Sequence, residues 1–497
     1  MDMLFLEEVF PSHGYPAHTF VVSTIHRRLC LSLRTAGRSL LVEGSSGLGK
    51  TSSLVWAFEE LGWGERVEWF SGINRQDHVR LESLLHEVEL EPIQCGRVYC
   101  IDDFNRLPSA LQQRVNEAVL RSVTYGPDAD KWVLCGIPTA GRSLLRIPTA
   151  VRGRIDRLSF GTRSEALILQ QIEKGEEALQ INIAQKSELA QAAAGHPQLA
   201  SLLVQDACIK NQVAARCQVR TDVEVRIPQA IQRVCTGLST LYGDITREFV
   251  KGPSFRRISR APYFHLLKLV AESPTGSLSL DEVINAHAEA TSLRRIVDKP
   301  LLQEFLQSGS SAQFQGLIQY DAMSRTMRIE DPKYHWYLQH LDWDSVWKQA
   351  GFQKVQFNNK YDFALSFSGS DREVASLIFE RLDQAEVSVF YDRNEQHYLL
   401  GEDVAAYIGP VYRQESQFVV ALLSHEYRRR EWTMFEYEQF KHRDSNVITV
   451  WLEDIEDELF EPLKKFGHFR AEFFRTWDDL AQEVSKVLLR KLEEQRV

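Results

Sequence analysis

The stretch Val42–Ser53, VEGSSGLGKTSS, sets the fold of the front half of the chain. Gly44-Ser45-Ser46-Gly47-Leu48-Gly49-Lys50-Thr51 fits G-x-x-x-x-G-K-[ST] at every position. It follows a strand-like run, SLLVE at 39–43, and opens a helical pattern, the context that spacing requires. Glycines at Gly44, Gly47 and Gly49 let the backbone curl so that its N–H groups converge on an anion, and the helix that follows adds its dipole. Lys50 is then placed to reach the outer phosphates of a nucleoside triphosphate, with Ser52 beside it, and the Thr51 hydroxyl to take a magnesium ion.

Such a loop needs an acid at the tip of a neighbouring strand. RVYCIDDFNRLP supplies it: a mostly apolar run leads to Asp102, placed to hold the magnesium, and Asp103 follows where a water-polarising carboxylate sits. Further strand-like runs, RVEWF at 66–70, KWVLC at 131–135 and DRLSF at 156–160, alternate with amphipathic stretches such as Leu111 to Val123. Strand and helix in alternation predict a parallel α/β sheet. From 163 to 235 the pattern is helical; from 236 to 345 it stays mostly helical, with a hairpin expected at 316–332.

These residues resemble the AAA+ and STAND branch of P-loop ATPases over roughly 10 to 340. LCGIPTAGR (134–142) is similar to that family's sensor strand, with Thr139 as the polar sensor. AVRGRIDRLSF carries Arg152, Arg154 and Arg157 where the family places arginines that face the γ-phosphate; each is equally read as a surface ion-pair residue. AAGHP, with Gly195, His196 and Pro197, looks like the lid-helix motif of STAND proteins, and His196 is equally read as a helix-cap residue. PSHGYPAHTFVV (11–22) is similar to the family's adenine clamp. The resemblance implies ATP or ADP as ligand, with magnesium.

A second alternation begins at Tyr361: YDFALSFS, VSVFYD, QFVVALLS and NVITVWL. With SHEYRRREWTMFEYEQF (Ser424–Phe440) it resembles a TIR domain across its whole length, through a first strand and loop, a second strand ending at Asp392, a loop at 393–404 similar to the one TIR domains use to meet each other, and a strand, serine and W-x-x-x-E helix. In TIR domains that cleave NAD, a glutamate on this helix does the chemistry, and the matching position is Glu436, four residues after Trp432. Breaking the nicotinamide–ribose bond builds positive charge on the sugar, which a nearby carboxylate stabilises. The resemblance makes Phe367, Ser368 and Arg372 candidate contacts to the dinucleotide, with Asp392 and Ser424 shaping the cleft and Trp432 a packing residue. TIR domains that only recruit partners also carry W-x-x-x-E, so Glu436 is open to two readings, catalyst and adaptor residue.

The fold class expected is therefore α/β multidomain: an adenine-clamp linker (1–27), a P-loop core (28–162), a helical lid (163–235), a winged-helix-like domain (236–347), a linker (348–360) and a flavodoxin-like TIR domain (361–497). At 497 residues the chain is long enough for about three domains, and 44% hydrophobic with 25% charged residues excludes a disordered or collagen-like chain. A net charge of −10 gives no support for nucleic-acid binding. The one dense basic run of the winged region, KGPSFRRISR (251–260), reads as a solvated face or domain contact. The seven cysteines (Cys30, Cys95, Cys100, Cys135, Cys208, Cys217, Cys235) form no C-x-x-C pair, which speaks against zinc and disulfide frameworks. No signal peptide or long apolar run is evident, so a reduced, cytoplasmic protein without membrane contact is expected.

Together the halves imply a nucleotide-gated, self-assembling NAD hydrolase in which NAD is a substrate. Homo-oligomers would form through both the ATPase and the TIR domains, in answer to a phage-derived or partner-protein trigger. A TIR scaffold that cleaves nothing, and an AAA+ machine acting on DNA or protein, are the readings from other classes.

Overall fold

The computed structural model describes the chain except residues 1–2, 91–95, 126–128, 138–152, 258, 287–289, 299, 309–312, 354–358, 386, 392–403, 444–445, 456–457, 466 and 497. Thr139, Arg152, Asp392 and nearly all of the 393–404 loop thus lie outside the described residues. The chain divides into two compact units: residues 1–245, 270–278 and 306–341, and residues 246–269, 279–305 and 342–497. The region expected at 236–347 is shared between the two.

In the first unit the five strand-like runs become β1 (Ser39–Gly44), β2 (Val67–Ser71), β3 (Val98–Asp102), β4 (Lys131–Gly136) and β5 (Ile155–Phe160). They form one parallel sheet in the order β2-β3-β4-β1-β5. A parallel sheet must be covered on both faces, and along β1 the side chains alternate between two cores. Leu41 packs with the helices Arg75–Leu90 and Ser109–Tyr125 through Leu81, Leu85, Leu111, Val115 and Val119. Leu40 and Val42 pack with the helices Thr24–Arg34 and Lys50–Glu60 through Leu29, Leu33, Leu54 and Ala57. The strand order leaves β4 between the loop-bearing β1 and the acid-bearing β3.

Helices Glu165–Leu179, Lys186–Ala192 and Pro197–Lys210 follow. The helical reading of 163–235 missed a small parallel pair, β6 (Ile181–Ile183) with β7 (Thr221–Val223), whose strands of three residues are too short to show a period. The AAGHP stretch breaks the helix: Ala194 and Gly195 have φ of +49° and +76°. A Cβ on Gly195 would lie 2.4 Å from the Arg163 carbonyl oxygen, and the Gly195 carbonyl accepts from the Arg163 N–H at 2.8 Å. This close approach docks the lid on the end of the sheet. Three short strands, β8 (Ser277–Ser279), β9 (Ile318–Asp321) and β10 (Thr326–Ile329), form a small sheet in the order β8-β10-β9, and the antiparallel β9–β10 pair is the hairpin expected at 316–332.

The second unit carries a parallel sheet of β11 (Tyr361–Phe367), β12 (Val389–Phe390), β13 (Ser416–Leu423), β14 (Val447–Trp451) and β15 (His468–Arg470), ordered β12-β11-β13-β14-β15. One face packs on helices Arg372–Gln384 and Trp477–Arg496, and the other on helices Val404–Pro410 and Glu431–Phe440. β15 escaped the sequence reading because HFR is too short to show alternation. Arg260, the last residue of the basic run, donates to Asp362 at 2.8 Å and to the Asn359 carbonyl at 2.7 Å, an ion pair within the second unit.

Candidate functional site

In the first unit a cavity of about 380 Å³ opens over the C-terminal ends of the strands, where ligands collect in open parallel sheets. The phosphate loop forms its floor. Gly49, the residue before helix Lys50–Glu60, has φ +85°, and a Cβ there would lie 2.9 Å from the Arg163 guanidinium. Lys50 is buried at the start of that helix, and its ammonium donates to the Ser45 carbonyl at 2.8 Å, held within the loop. The Thr51 hydroxyl donates to Asp102 at 2.8 Å, across β4. Asp102 also accepts from the Asp103 N–H at 3.0 Å. Burial first, and the Asp102 charge second, push the Asp103 carboxyl above its ordinary range, with Lys50 and Arg106 opposing. Ser52, Gly47, Gly49, Lys50, Thr51, Asp102 and Asp103 all line the cavity.

The N-terminal segment forms the wall. Phe20 stacks on Trp56 (5.0 Å between centroids, 19°), Tyr15 leans on both, and the Arg163 guanidinium lies 5.9 Å from the Phe20 ring. Lys174 of the lid donates to the Phe20 carbonyl at 2.6 Å, and Gln198 of the lid to the Ser12 carbonyl. Burial, then Glu59, lifts the Tyr15 phenol to about 12.

Gly44 and His196 take a different position from the other loop residues. Both line a second cavity of about 830 Å³ beside the first, bounded also by Thr275, Arg328, His335 and Trp336. His196 is the N-cap of helix Pro197–Lys210, so its alternative reading as a cap residue fits its place, although its side chain makes no cap bond. Its ring lies against Gly47, and among the described residues neither ring nitrogen has a hydrogen-bond partner. Burial foremost, then the Lys333 and Lys50 charges, pull its pKa from 6.5 to about 3.

Of the three arginines expected to face a γ-phosphate, Arg152 lies outside the described residues, and Arg154 and Arg157 lie away from this cavity. Arg154 donates to the Val123 carbonyl at 2.7 Å, at the end of helix Ser109–Tyr125, and does not line the cavity over the phosphate loop. Arg157 pairs with the buried Glu43 of β1. Among the described residues the arginine that lines the cavity is Arg163, whose pKa burial lowers. Nothing in FGTRSE distinguishes Arg163 in sequence; the fold of the lid onto the sheet brings it in.

In the second unit the strand order places a reversal between β11 and β13: the chain leaves β11 for β12 on one side and returns to β13 on the other. Such a switch point opens a crevice at the carboxyl ends of its two strands. Ser366 and Phe367 end β11 there, Ser368 follows it, and Ser424 follows β13. Helix Glu431–Phe440 brings Glu436 to the same place. Glu436 Oε2 accepts from the Ser366 hydroxyl at 2.6 Å, and Ser366 Oγ lies 2.6 Å from the Tyr427 hydroxyl. A serine has one hydroxyl proton, so Tyr427 must donate to Ser366 while Ser366 donates to Glu436. Ser366 and Tyr427 are fully buried and Glu436 is half-buried, so the relay fixes the carboxylate from beneath.

Around it, Phe367 stacks on Tyr391 (5.5 Å, 21°), with the Arg372 guanidinium 5.3 Å from its ring. Ser368 is buried and 3.0 Å from the Ser370 hydroxyl. Ser424 donates to Asp371 at 2.5 Å; burial raises the Asp371 pKa against that bond, with Glu453 and Glu426 adding to the rise. Glu438 is exposed and paired with Lys441, on a different face from Glu436.

Trp432 departs from the packing role expected of it. The buried stripe of helix Glu431–Phe440 is Thr433, Tyr437 and Phe440; Trp432 and Glu436, four apart, lie on the neighbouring stripe. Trp432 is 52% exposed and meets Phe435 edge to face at 5.9 Å. Ser366 and Tyr427 were missed by sequence reading, though Ser366 left one signal, a hydroxyl inside an otherwise apolar central strand.

Residues 363–488 match the TIR domain family model. The same region is similar to the 3' cyclic ADP-D-ribose synthase AaTIR of Aquimarina amphilecti, 32% identical over 127 residues; the match spans 24% of this chain and 38% of that relative's length. Among solved structures, a RuvB variant of Thermotoga maritima covers 65% of this chain and 97% of its own at 16% identity and a TM-score of 0.36. The ORC2 protein of Aeropyrum pernix covers 70% and 97% at 13% identity and 0.39. The phosphate loop, the paired aspartates and the β5-β1-β4-β3-β2 order are what tie the front region to its class. Residues 363–488 are a TIR domain, and the chain joins it to an N-terminal region that resembles the P-loop ATPases of the AAA+ class.

Proposed function

We propose that the chain is a nucleotide-gated, self-assembling NAD hydrolase that acts against phage by depleting NAD. The observation that carries the activity is the half-buried Glu436 carboxylate, held by the Tyr427–Ser366 relay at the β11/β13 switch point. Similarity to a cyclic ADP-ribose synthase supports an ADP-ribosyl substrate. In the reaction, the bond between the ribose C1 and the nicotinamide nitrogen breaks and its electron pair leaves with nicotinamide. Positive charge develops on the sugar beside Glu436, where a preorganised carboxylate stabilises it. Water then adds to C1 and releases a proton, giving ADP-ribose; attack by a ribose hydroxyl instead would give a cyclic product. The exposed Trp432 offers a flat face to a base, and Arg372, over the buried Phe367 ring, offers a cation beside it.

The front cavity fits a nucleoside triphosphate with magnesium. Thr51 and Asp102 present hard oxygen donors 2.8 Å apart, and the loop curls through the left-handed Gly49. Lys50 and Arg163 would hold the phosphates, Tyr15 and Phe20, the latter backed by Trp56, would flank the base, and Asp103 would orient a water. Magnesium, when bound, neutralises phosphate charge. Lid contacts to the N-terminal segment, through Lys174 and Gln198, give the nucleotide a means of biasing lid position and hence assembly.

Trp432 supports a second reading, a scaffold whose exposed aromatic meets a partner. One experiment separates them: purified protein at high concentration with ATP and magnesium is incubated with NAD beside Glu436→Gln. The hydrolase reading expects the variant to lose activity by about 100-fold or more at unchanged Tm. Equal turnover by both overturns it, as does an absence of turnover that persists when extract of phage-challenged cells is added.

A further inference from the structure

On the far side of the aromatic wall, helix Thr24–Arg34 and the end of helix Lys50–Glu60 bring three metal-ligating groups together. His26 Nε2 lies 3.3 Å from Glu60 Oε2, Cys30 Sγ lies 3.5 Å from His26 Nε2, and Cys30 Sγ lies 3.9 Å from Glu60 Oε2. One helix supplies His26 and Cys30 at i and i+4, on one face, and the second supplies Glu60. With zinc bond lengths of about 2.05 Å to nitrogen, 2.1 Å to carboxylate oxygen and 2.3 Å to sulfur, one face of a tetrahedron has N···O, N···S and S···O edges of about 3.4, 3.6 and 3.6 Å. The triangle formed by the three side chains has nearly these edges without any movement. His26 and Cys30 are buried, whereas the Glu60 side chain is 54% exposed, so one side of the triangle is open to solvent for entry and for a fourth ligand.

We propose that His26, Cys30 and Glu60 form a binding site for a zinc-class divalent ion, separate from the magnesium position at Thr51 and Asp102. Mixed nitrogen, sulfur and carboxylate donors select zinc over magnesium or calcium, which take oxygen ligands. Binding replaces the Cys30 thiol proton with the metal, and the proton goes to solvent. The ion would bolt Glu60, the last residue of the helix that begins at the phosphate loop, to helix Thr24–Arg34. It would also fix the His26 ring, which meets Phe20 edge-on at 5.4 Å and 74°. The absence of C-x-x-C pairs hid this site from the sequence, because its spacing is H-x-x-x-C with the third ligand 30 residues further on.

The test uses the full chain, stripped with chelator and desalted, and titrated with Zn²⁺ and, separately, with Co²⁺. One equivalent of zinc should bind and survive desalting, with Tm raised by several degrees. Cobalt should show a sulfur-to-metal charge-transfer band that is absent in Cys30→Ser. Glu60→Gln, a change at an exposed side chain that leaves the fold intact, should weaken zinc binding by about tenfold or more. A cobalt spectrum without a thiolate band, or zinc affinity equal in the wild type and Glu60→Gln, overturns the proposal. Competition by millimolar Mg²⁺ that removes all bound zinc would assign the ion to Thr51 and Asp102 and overturn it too.

Discussion

Glu436 is set by two residues that touch no solvent. Ser366 lies at a strand end and Tyr427 on the short helix His425–Arg429, and their hydroxyls pass one direction of hydrogen bonding up to the carboxylate. Ser366→Ala should therefore act twice. It leaves the buried Tyr427 hydroxyl without its 2.6 Å partner, at a cost of about 1–3 kcal/mol in a denaturant titration. It also releases the Glu436 carboxylate, so kcat for NAD consumption should fall about tenfold, while Ser366→Thr, which keeps the hydroxyl, recovers part of both. An unchanged kcat in Ser366→Ala would show that the relay does not position Glu436. Only half of this was legible in sequence: W-x-x-x-E marks Glu436, but its partners come from two other elements.

At the scale of elements, the pairing of β1 with β5 depends on Gly44. A Cβ there would lie 2.4 Å from the Phe160 carbonyl oxygen, its partner in the ladder, and backbone cannot rotate away as a side chain can. Gly44→Ala should cost about 1–3 kcal/mol and weaken ATP binding, because the strand end that launches the phosphate loop must shift. Thermal melts with and without ATP would read both effects. The lid offers a pH test. His196 is neutral in the fold, with its pKa pulled to about 3 from 6.5, so the unfolded chain takes up the proton first as pH falls. The stability tied to neutral His196 is complete above pH 6.5 and is lost as pH falls through 6.5 toward 3. At pH 5 the loss is about 2 kcal/mol. His196→Gln should be less acid-sensitive than the wild type by that amount between pH 7 and 5, in urea titrations of the first unit's transition. Parallel curves would mean that the ring protonates within the fold.

For the whole molecule, the proposed gating by assembly makes a kinetic prediction. NAD turnover per molecule should rise steeply with protein concentration in the presence of ATP, because tethered contacts raise the local concentration of TIR domains. Lys50→Ala should abolish that rise while leaving the Tm of the TIR-bearing unit unchanged. Turnover per molecule that is flat across a hundredfold dilution would remove gating and leave an ungated enzyme.

What the sequence determined by itself is whatever depends on residues close along the chain: the phosphate loop, the strand ending in Asp102 and Asp103, the strand runs of both sheets, and the W-x-x-x-E helix. Local backbone geometry and periodicity act over a few residues, so a short stretch suffices to specify them. Tertiary structure decided what depends on strand order and helix docking. Thr51 meets Asp102 across 51 residues, and Ser366 meets Glu436 across 70. Arg163, not Arg154, reaches the cavity over the phosphate loop, Trp432 faces solvent, and His26, Cys30 and Glu60 converge. None of these follows from a period or a spacing, because each arises only when separately formed elements pack and bring distant side chains within bonding range.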